Sequence, residues 1–297
     1  MPILPALYFE ASRAPNASSS ASNLPSEVLS HCFSFADWGD LAKLAVVQSS
    51  WSTVLVDAAD HCKEAKWALA QALLNGGSGL AKNSRRAVEI LRELAQVATD
   101  ENDIPMGGLG EISDNSVVNT SVYFAPAMKA VSDCYFAGDG VPKLPCTGLA
   151  WLQAAFHFGN DFDAAYATAM TFEYGRNGIE VDVVAAFQWF EKAAEAGHVE
   201  AMAELGLCYE LGCGVEQSDE KALDWYTKAA NEGHATAKFS VAEAFEEARG
   251  VPQSDEEACR WYYRAALVGD EDSKKALRRL YDIARIVVPG VADILRV

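Results

Sequence analysis

A tryptophan followed eight residues later by a glycine recurs four times in the second half of this chain. The pairs are Trp151 with Gly159, Trp189 with Gly197, Trp225 with Gly233 and Trp261 with Gly269, so successive tryptophans lie 38, 36 and 36 residues apart. A fixed period of this length is typical of stacked helical hairpins, in which each repeat contacts only its neighbours. The sequence therefore predicts an all-α solenoid and favours a binding surface over an enclosed catalytic site.

Other small residues recur in step with the tryptophans. Alanine lets two helices approach closely, and glycine adopts the positive φ that ends a helix, so such positions indicate how the hairpins pack and turn. The first helices share Ala127, Ala165, Ala201 and Ala237; the turns share Gly140, Gly178, Gly214 and Gly250; the second helices share Ala155, Ala193, Ala229 and Ala265. We expect each tryptophan to fill the groove between neighbouring hairpins, so Trp225→Ala would cost about 3–5 kcal/mol.

Segments of different composition precede, interrupt and follow the repeats. Residues 1–22 are rich in Ser, Ala and Pro and are predicted to be a disordered tail, followed by a compact helical module at 23–62. Residues 63–98 form a degenerate first repeat, and the glycine-rich, acidic residues 99–122 form a flexible insertion. Regular repeats cover 123–270, and residues 271–297 supply a C-terminal capping helix and tail.

Charge and cysteine usage narrow the classes of partner. A net charge of −18 would repel nucleic acid and anionic membrane surfaces, which leaves basic or weakly charged proteins as partners. No apolar run approaches the length of a membrane span, so we predict no membrane insertion.

Seven cysteines without a Cys-x-x-Cys pattern predict no metal site and favour a cytoplasmic or nuclear location. Glycosylation of Asn119 would instead indicate a secretory lumen.

No group of residues in the sequence forms a recognisable catalytic constellation. The chain contains no Gly-x-Ser-x-Gly elbow, P-loop or His-Glu-x-x-His motif. His198 and His234 directly follow the glycine of their repeats, which favours a role in the turn between helices. We therefore predict a non-catalytic protein that needs no cofactor.

The repeat between Ala201 and His234 closely resembles the Sel-one-like repeat, a relative of the tetratricopeptide repeat. The matching residues are Ala201–Tyr209, Gly212, Gly214, Val215, Ala222, Trp225, Tyr226, Ala229, Ala230, Gly233 and His234. The resemblance covers residues 123–270 and, more weakly, residues 65–98. It departs from the pattern at Glu173, which stands where the other repeats are expected to have tyrosine.

This resemblance implies a protein-binding scaffold whose concave face is lined by the first helices. In tetratricopeptide geometry that face would carry Lys129, Asp133, Phe136, Tyr174, Glu210, Phe239, Glu243 and Glu246. Aromatic anchors beside carboxylates would suit a basic or amphipathic peptide. In the alternative interpretation, the three aromatic residues pack between repeats, and Glu243 and Glu246 form a solvated stripe.

Residues 23–62 resemble an F-box. The matching positions are Leu24, Pro25, Glu27, Val28, Leu29, Phe33, Phe35, Asp40, Leu41, Leu44, Val47, Ser50 and Trp51. Ala36 and Gln48 depart from the leucine and cysteine that are usual in this family. An F-box that precedes a repeat domain implies the substrate-recruiting subunit of an SCF-type ubiquitin ligase, with the substrate protein held by the solenoid.

In that family the F-box docks on a Skp-one-type linker, which connects it to the cullin ligase. The implied linker contacts are Leu24, Pro25, Val28, Leu29, Leu41, Val47 and Trp51. The alternative is a repeat scaffold with no ubiquitin role, in which these N-terminal helices only cap the first repeat of the solenoid.

Overall fold

Helices follow one another in antiparallel pairs along the chain. The computed structural model describes residues 63–76, 81–106 and 124–284. The tail predicted at 1–22 and the F-box-like module predicted at 23–62 lie outside these ranges. The chain divides into two compact units, Met1–Gly159 and Asn160–Val297.

The described part of the first unit consists of two helical hairpins. Its helices are α1 (Lys63–Asn75), α2 (Ser84–Ala95), α3 (Ala125–Ala137) and α4 (Pro145–Gly159). Helix α1 packs against α2, α2 against α3, and α3 against α4. Leu91, Met128, Tyr135 and Trp151 are fully buried and form the centre of this core.

The described part of the second unit consists of three hairpins and a final helix. Its helices are α5 (Phe162–Tyr174), α6 (Val183–Glu195), α7 (Val199–Leu211), α8 (Asp219–Asn231), α9 (Ala235–Glu247), α10 (Asp255–Leu267) and α11 (Glu271–Ala284). Helices α5 to α10 are each 13 residues long, and each packs against the next along the chain. The prediction of an all-α architecture of repeated helix pairs is confirmed.

Side-chain caps begin the helices of the second unit. Asp161, Asp182, Ser218 and Ser254 accept hydrogen bonds from backbone N–H groups in the first turns of α5, α6, α8 and α10. Nδ1 of His198 and of His234 accepts the N–H of Ala201 and of Ala237, each at 3.1 Å. The two histidines are therefore turn residues, as the sequence predicts, because each satisfies an N–H that the helix itself leaves unpaired.

The turn glycines fix the distance between successive repeats. Gly214 has a φ of 73° and Gly250 a φ of 67°. A Cβ at Gly214 would lie 2.2 Å from the carbonyl oxygen of Val183, where α6 begins, and a Cβ at Gly250 would lie 2.5 Å from that of Asp219, where α8 begins. Any side chain here would force the repeats apart, so glycine sets the stacking as well as the turn.

The turn after α5 contains one residue more than the turn after α7. It includes a 3₁₀ segment, Arg176–Gly178, in which Asn177 has a φ of 59°. After α7, the corresponding part of the turn is formed by Gly212 to Gly214. Tryptophan spacing cannot locate this extra residue, because it lies between the two helices of the hairpin and shifts α5 by one position relative to α6.

This shift corrects the alignment of α5 that the tryptophans predict. Counted from the helix ends, Phe172 takes the place of Tyr209, and Glu173 takes the place of Glu210. The prediction that Glu173 replaces an aromatic residue is therefore wrong. The alanine that matches Ala201 is likewise Ala164 rather than Ala165, although both are fully buried.

Residues 99–106 are folded onto the repeats of the first unit. Thr99 and Pro105 form an isolated antiparallel bridge. Oδ2 of Asp103 accepts hydrogen bonds from the hydroxyl of Tyr135 at 2.8 Å and from Nη2 of Arg92 at 2.5 Å. Asp103 thus provides a counter-charge for Arg92. The flexible insertion at 99–122 stays a prediction, since residues 107–122 lie outside the described ranges.

In the second unit, the repeated tryptophan is not the most deeply buried aromatic residue of its hairpin. The residue that follows it, Phe190, Tyr226 or Tyr262, is buried in each case, whereas Trp225 is only half-buried. The ring of Trp225 lies under Nζ of Lys228, 3.6 Å from the ring centroid. Trp225 therefore shields the edge of its hairpin instead of filling a closed groove.

Replacing Trp151 by alanine should destabilise the protein more than replacing Trp225. Trp151 is fully buried, and its Nε1 donates a hydrogen bond of 2.9 Å to the carbonyl oxygen of Asp103. Trp151→Ala should therefore cost about 3–5 kcal/mol of unfolding free energy, whereas Trp225→Ala should cost about 1–2 kcal/mol. Urea denaturation followed by circular dichroism measures both values, and equal costs would contradict this assignment of burial.

Candidate functional site

One carboxylate position recurs at the end of the first helices in the second unit. Glu173, Glu210 and Glu246 each occupy the next-to-last residue of α5, α7 and α9, respectively. The corresponding residue of α3 in the first unit is Phe136. The three glutamates differ in what surrounds them, and the difference defines the candidate site.

Glu210 is held by one partner from its own hairpin and by one from the next. The hydroxyl of Tyr226 on α8 donates a hydrogen bond of 2.7 Å to Oε2 of Glu210, and Nη1 of Arg249 donates to Oε1. Arg249 lies in the turn after α9, so this ion pair joins two repeats. Burial and the hydrogen bond to Glu210 raise the pKa of Tyr226, which keeps its hydroxyl protonated as a donor.

Glu246 repeats the same arrangement one hairpin further along. The hydroxyl of Tyr262 on α10 donates a hydrogen bond of 2.9 Å to Oε2. Nη2 of Arg279 on α11 lies 2.5 Å from Oε1 and 2.8 Å from Oε2 of the same carboxylate. A tyrosine hydroxyl from the same hairpin and an arginine guanidinium from beyond that hairpin are thus the two ligands of this position.

Glu173 has neither of these ligands. Phe190, which has no hydroxyl, stands at the position of Tyr226, and Cys213 stands at the position of Arg249. Within the described ranges, Oε2 of Glu173 is buried and has no hydrogen-bond partner. Burial raises the pKa of the Glu173 carboxyl, against smaller opposing effects from a hydrogen bond with Tyr174 and from the charge of Arg176.

A second carboxylate adds to the negative charge around Glu173. The pKa of Glu204 on α7 is raised by burial and then by the charge of Glu173. Burial also raises the pKa of the Cys208 thiol to about 12, with further contributions from Glu173, Cys213 and Glu204. These side chains therefore lie close enough for their charges to interact.

Exposed aromatic and apolar groups lie on the two helices that carry these carboxylates. Tyr174 is largely exposed, and the guanidinium of Arg176 lies 5.0 Å from its ring centroid. Leu207 and Leu211 are exposed and follow Glu204 at helical spacing on one face of α7. We call the set Glu173, Tyr174, Glu204, Leu207 and Leu211 the open acidic site.

The structure distributes the predicted contact residues of the solenoid over both units. Lys129, Asp133 and Phe136 lie on α3, whereas Tyr174, Glu210, Phe239, Glu243 and Glu246 lie in the second unit. The ring of Phe136 is buried against Gly148, where a Cβ would come within 2.9 Å of it. Phe239 is half-buried, with its ring 5.4 Å from that of Tyr262.

The three glutamates predicted to contact a partner form hydrogen bonds or ion pairs within the protein. Glu210 and Glu246 bind tyrosine and arginine as described, and Glu243 lies 3.5 Å from Arg249. Tyr174 is the predicted aromatic residue that remains largely exposed in the described part of the second unit. Contact with a partner stays a prediction for all of these residues.

The predicted linker contacts of the F-box-like module have no described position. They are Leu24, Pro25, Val28, Leu29, Leu41, Val47 and Trp51, all outside the described ranges.

Glu173 and Glu204 were missed by the sequence argument. The signal for Glu173 was present in Gly175, the positive-φ glycine that ends α5 just as Gly212 ends α7. When the repeats are aligned on these glycines instead of on the tryptophans, Glu173 takes the position equivalent to Glu210. Nothing in the sequence pattern marks Glu204, because its importance comes from proximity to a residue in another repeat.

Two further properties of the described residues bear on function. Between residues 63 and 284, the described ranges contain no group of three His, Cys, Asp or Glu side chains that could hold a metal ion. None of the described helices is both long and apolar enough to cross a membrane.

Neutralising equivalent glutamates should change stability in opposite directions. Glu173→Gln removes a half-buried charge that has no Lys or Arg nitrogen within 4 Å among the described residues, and it should raise the melting temperature at pH 7. Glu246→Gln, the matched control, weakens the bonds to Tyr262 and Arg279 and should cost about 1–2 kcal/mol. Calorimetry at neutral and acidic pH measures both effects.

The pH dependence of the Glu173→Gln effect follows from the direction of the pKa shift. Because the pKa of Glu173 is raised above its usual 4.5 in the folded protein, the folded state retains a proton that the unfolded state has lost. The contribution of Glu173 to the unfolding free energy therefore falls as the pH rises from 4.5 through the raised pKa of the folded state. The gain from Glu173→Gln should vanish below pH 4.5, and a lower melting temperature of this variant at pH 7 would contradict the assignment.

Solved structures of repeat proteins share this fold. A protective antigen present in uropathogenic Escherichia coli strains and displaying an SLR fold superposes with a TM-score of 0.62 at 20% identity, over 92% of this chain. This chain spans 55% of the length of that antigen. A Sel1 repeat protein from Oxalobacter formigenes superposes with a TM-score of 0.52 at 24% identity, over 84% of this chain and 96% of that protein.

Sequence comparison assigns the family. No curated protein matches the sequence as a relative. The profile of the Sel1 repeat matches residues 63–96, 125–156, 162–198, 199–234 and 235–270, which is more than half of the chain. The five matched segments coincide with the five helical hairpins of the two units. The chain therefore belongs to the Sel1 repeat family.

Proposed function

We propose that this protein is a non-catalytic adaptor that binds a protein partner at the open acidic site of its second unit. Sel1 repeat proteins are generally protein-binding scaffolds without catalytic activity. The observation that carries the proposal is the pair Glu173 and Glu204, two half-buried carboxylates with no Lys or Arg nitrogen within 4 Å among the described residues.

Exposed apolar groups beside this pair suit a protein ligand. Tyr174 and Leu211 offer contact area, and the carboxylates offer charge complementarity to a basic segment. A net charge of −18 would steer such a segment towards the protein. An aromatic and aliphatic patch next to unpaired acids is the arrangement expected for an amphipathic, basic peptide.

Site-specific photo-crosslinking tests whether this surface binds a partner. A photoreactive amino acid in place of Leu211 should capture a discrete protein in cells. The matched control is Leu267 at the end of α10, which is 61% exposed against 63% for Leu211. Equal capture at both positions, or none at position 211, would contradict the proposed binding face.

We propose further that the adaptor is the substrate-recruiting F-box subunit of an SCF-type ubiquitin ligase. Support comes from the F-box resemblance of residues 23–62 and from its place before a repeat domain. In this role a Skp-one-type linker binds the N-terminal module, the repeats hold the substrate, and other subunits transfer ubiquitin. Tethering then raises the effective concentration of substrate lysines near the transferase, in the cytoplasm or nucleus.

Binding of a purified Skp-one-type linker to the full-length chain tests the ligase role. Saturable binding is expected, and Leu24→Ala combined with Pro25→Ala should abolish it. Glu173→Gln is the matched control, since it lies in the repeats and should leave linker binding unchanged. If the linker does not bind, the ligase role is wrong, and a large drop in melting temperature on deleting residues 1–62 would favour the alternative scaffold with an N-terminal cap.

A further inference from the structure

Two of the three equivalent glutamates bind an arginine from the protein itself, and the third has none. We propose that Glu173 binds an arginine side chain of the partner protein, in the way that Glu210 binds Arg249 and Glu246 binds Arg279. The inference rests on the proposed binding face and names the group that this face recognises.

The two filled copies show what the position binds and from which direction. Both guanidinium groups come from beyond the hairpin that carries the glutamate, since Arg249 lies in the turn of the next hairpin and Arg279 lies on α11. Both arginines remain in contact with solvent, because the side chain of Arg249 is 30% exposed and that of Arg279 is 56% exposed. A guanidinium therefore reaches this carboxylate from the solvent side.

At Glu173 the chain supplies neither internal ligand. Phe190 is fully buried and offers no hydroxyl where Tyr226 and Tyr262 donate one. Cys213 is short, exposed and without a positive charge where Arg249 supplies a guanidinium. The buried Oε2 of Glu173 is thus left without a hydrogen-bond donor within the described ranges.

Arg176, the nearest cation on the same hairpin, does not take this role. Its guanidinium lies over the exposed ring of Tyr174, 5.0 Å from the centroid, and makes no ion pair with Glu173 within 4 Å. A partner arginine can approach Glu173 while its planar group also faces Tyr174 and the second carboxylate, Glu204. Guanidinium suits this setting better than ammonium, because it donates to two carboxylates in a fixed geometry and stacks on aromatic rings.

Labelled peptides binding to the full-length protein test the inference. The probe is a fluorescein-labelled nonapeptide pool with a fixed central arginine and degenerate flanks. A second pool carries citrulline, which has the same shape but no charge. Fluorescence anisotropy should show at least about tenfold tighter binding of the arginine pool, as expected for a charged hydrogen bond that replaces a neutral one.

Two variants assign this preference to Glu173. Glu173→Gln should lower the affinity for the arginine pool to that for the citrulline pool. Glu195→Gln, at the exposed end of α6, should leave the preference for arginine unchanged. The double variant Phe190→Tyr with Cys213→Arg rebuilds both internal ligands. It should also remove the preference while keeping or raising the melting temperature, which shows that the fold is intact.

Defined outcomes would overturn the inference. Equal binding of the two pools, absence of binding, or an arginine preference that survives Glu173→Gln would each show that Glu173 does not bind a partner arginine. Capture of a partner through position 211 is a separate measurement. If capture persists when the arginine preference fails, the binding face stands and only the identity of the recognised group is wrong.

Discussion

The close contact that the turns after α7 and α9 make with the preceding repeat is the constraint on which the second unit depends. Gly214 and Gly250 bring the turn backbone against the first residue of α6 and of α8, at distances that leave no room for a Cβ. This contact fixes how far apart successive hairpins lie. It also places the turn after α9 near the end of α7, where Arg249 meets Glu210. A repeat can therefore complete the carboxylate site of its neighbour only because the stacking distance is set so tightly.

The same geometry explains why the second helices carry paired aromatic residues. The inner residue of each pair is buried, and where it is a tyrosine, as at Tyr226 and Tyr262, its hydroxyl donates to a glutamate on the first helix. The outer tryptophan covers the edge of the hairpin, and its ring packs against the cationic side chain three residues further along the helix. Trp225 and Lys228 are one such pair. In the second unit the inner residue is thus the more deeply buried of the two, and the tryptophan that makes the repeat visible in the sequence contributes less to the core of its hairpin.

Periodicity was sufficient to predict the helical pairs, the turns and the role of the two histidines, because each depends on local geometry that repeats. It failed where a single insertion changed the alignment, as at Glu173, and where a contact crosses many residues, as at Asp103. The sequence predicts only that Asp103 is an acidic residue in a loop. The structure shows that it accepts hydrogen bonds from Arg92, Tyr135 and Trp151. Partner-binding residues are the hardest to predict, since Glu210 and Glu173 share a position and differ only in what other helices bring to them.

A half-buried carboxylate without a cationic partner lowers stability, and the neighbouring repeats show which residues would supply one. A tyrosine for Phe190 and an arginine for Cys213 would reproduce the arrangement found at Glu210 and would satisfy Oε2 of Glu173. Departures from a protein's own structural rule are expected where function offsets the loss in stability. This carboxylate also lies next to the exposed Tyr174, a residue type enriched in binding hot spots, and its charge acts on Glu204, which shares one face of α7 with two exposed leucines. An incoming arginine would stabilise the bound state by the interaction that Arg249 makes within the free protein, so the same contact that joins two repeats would join this protein to its partner.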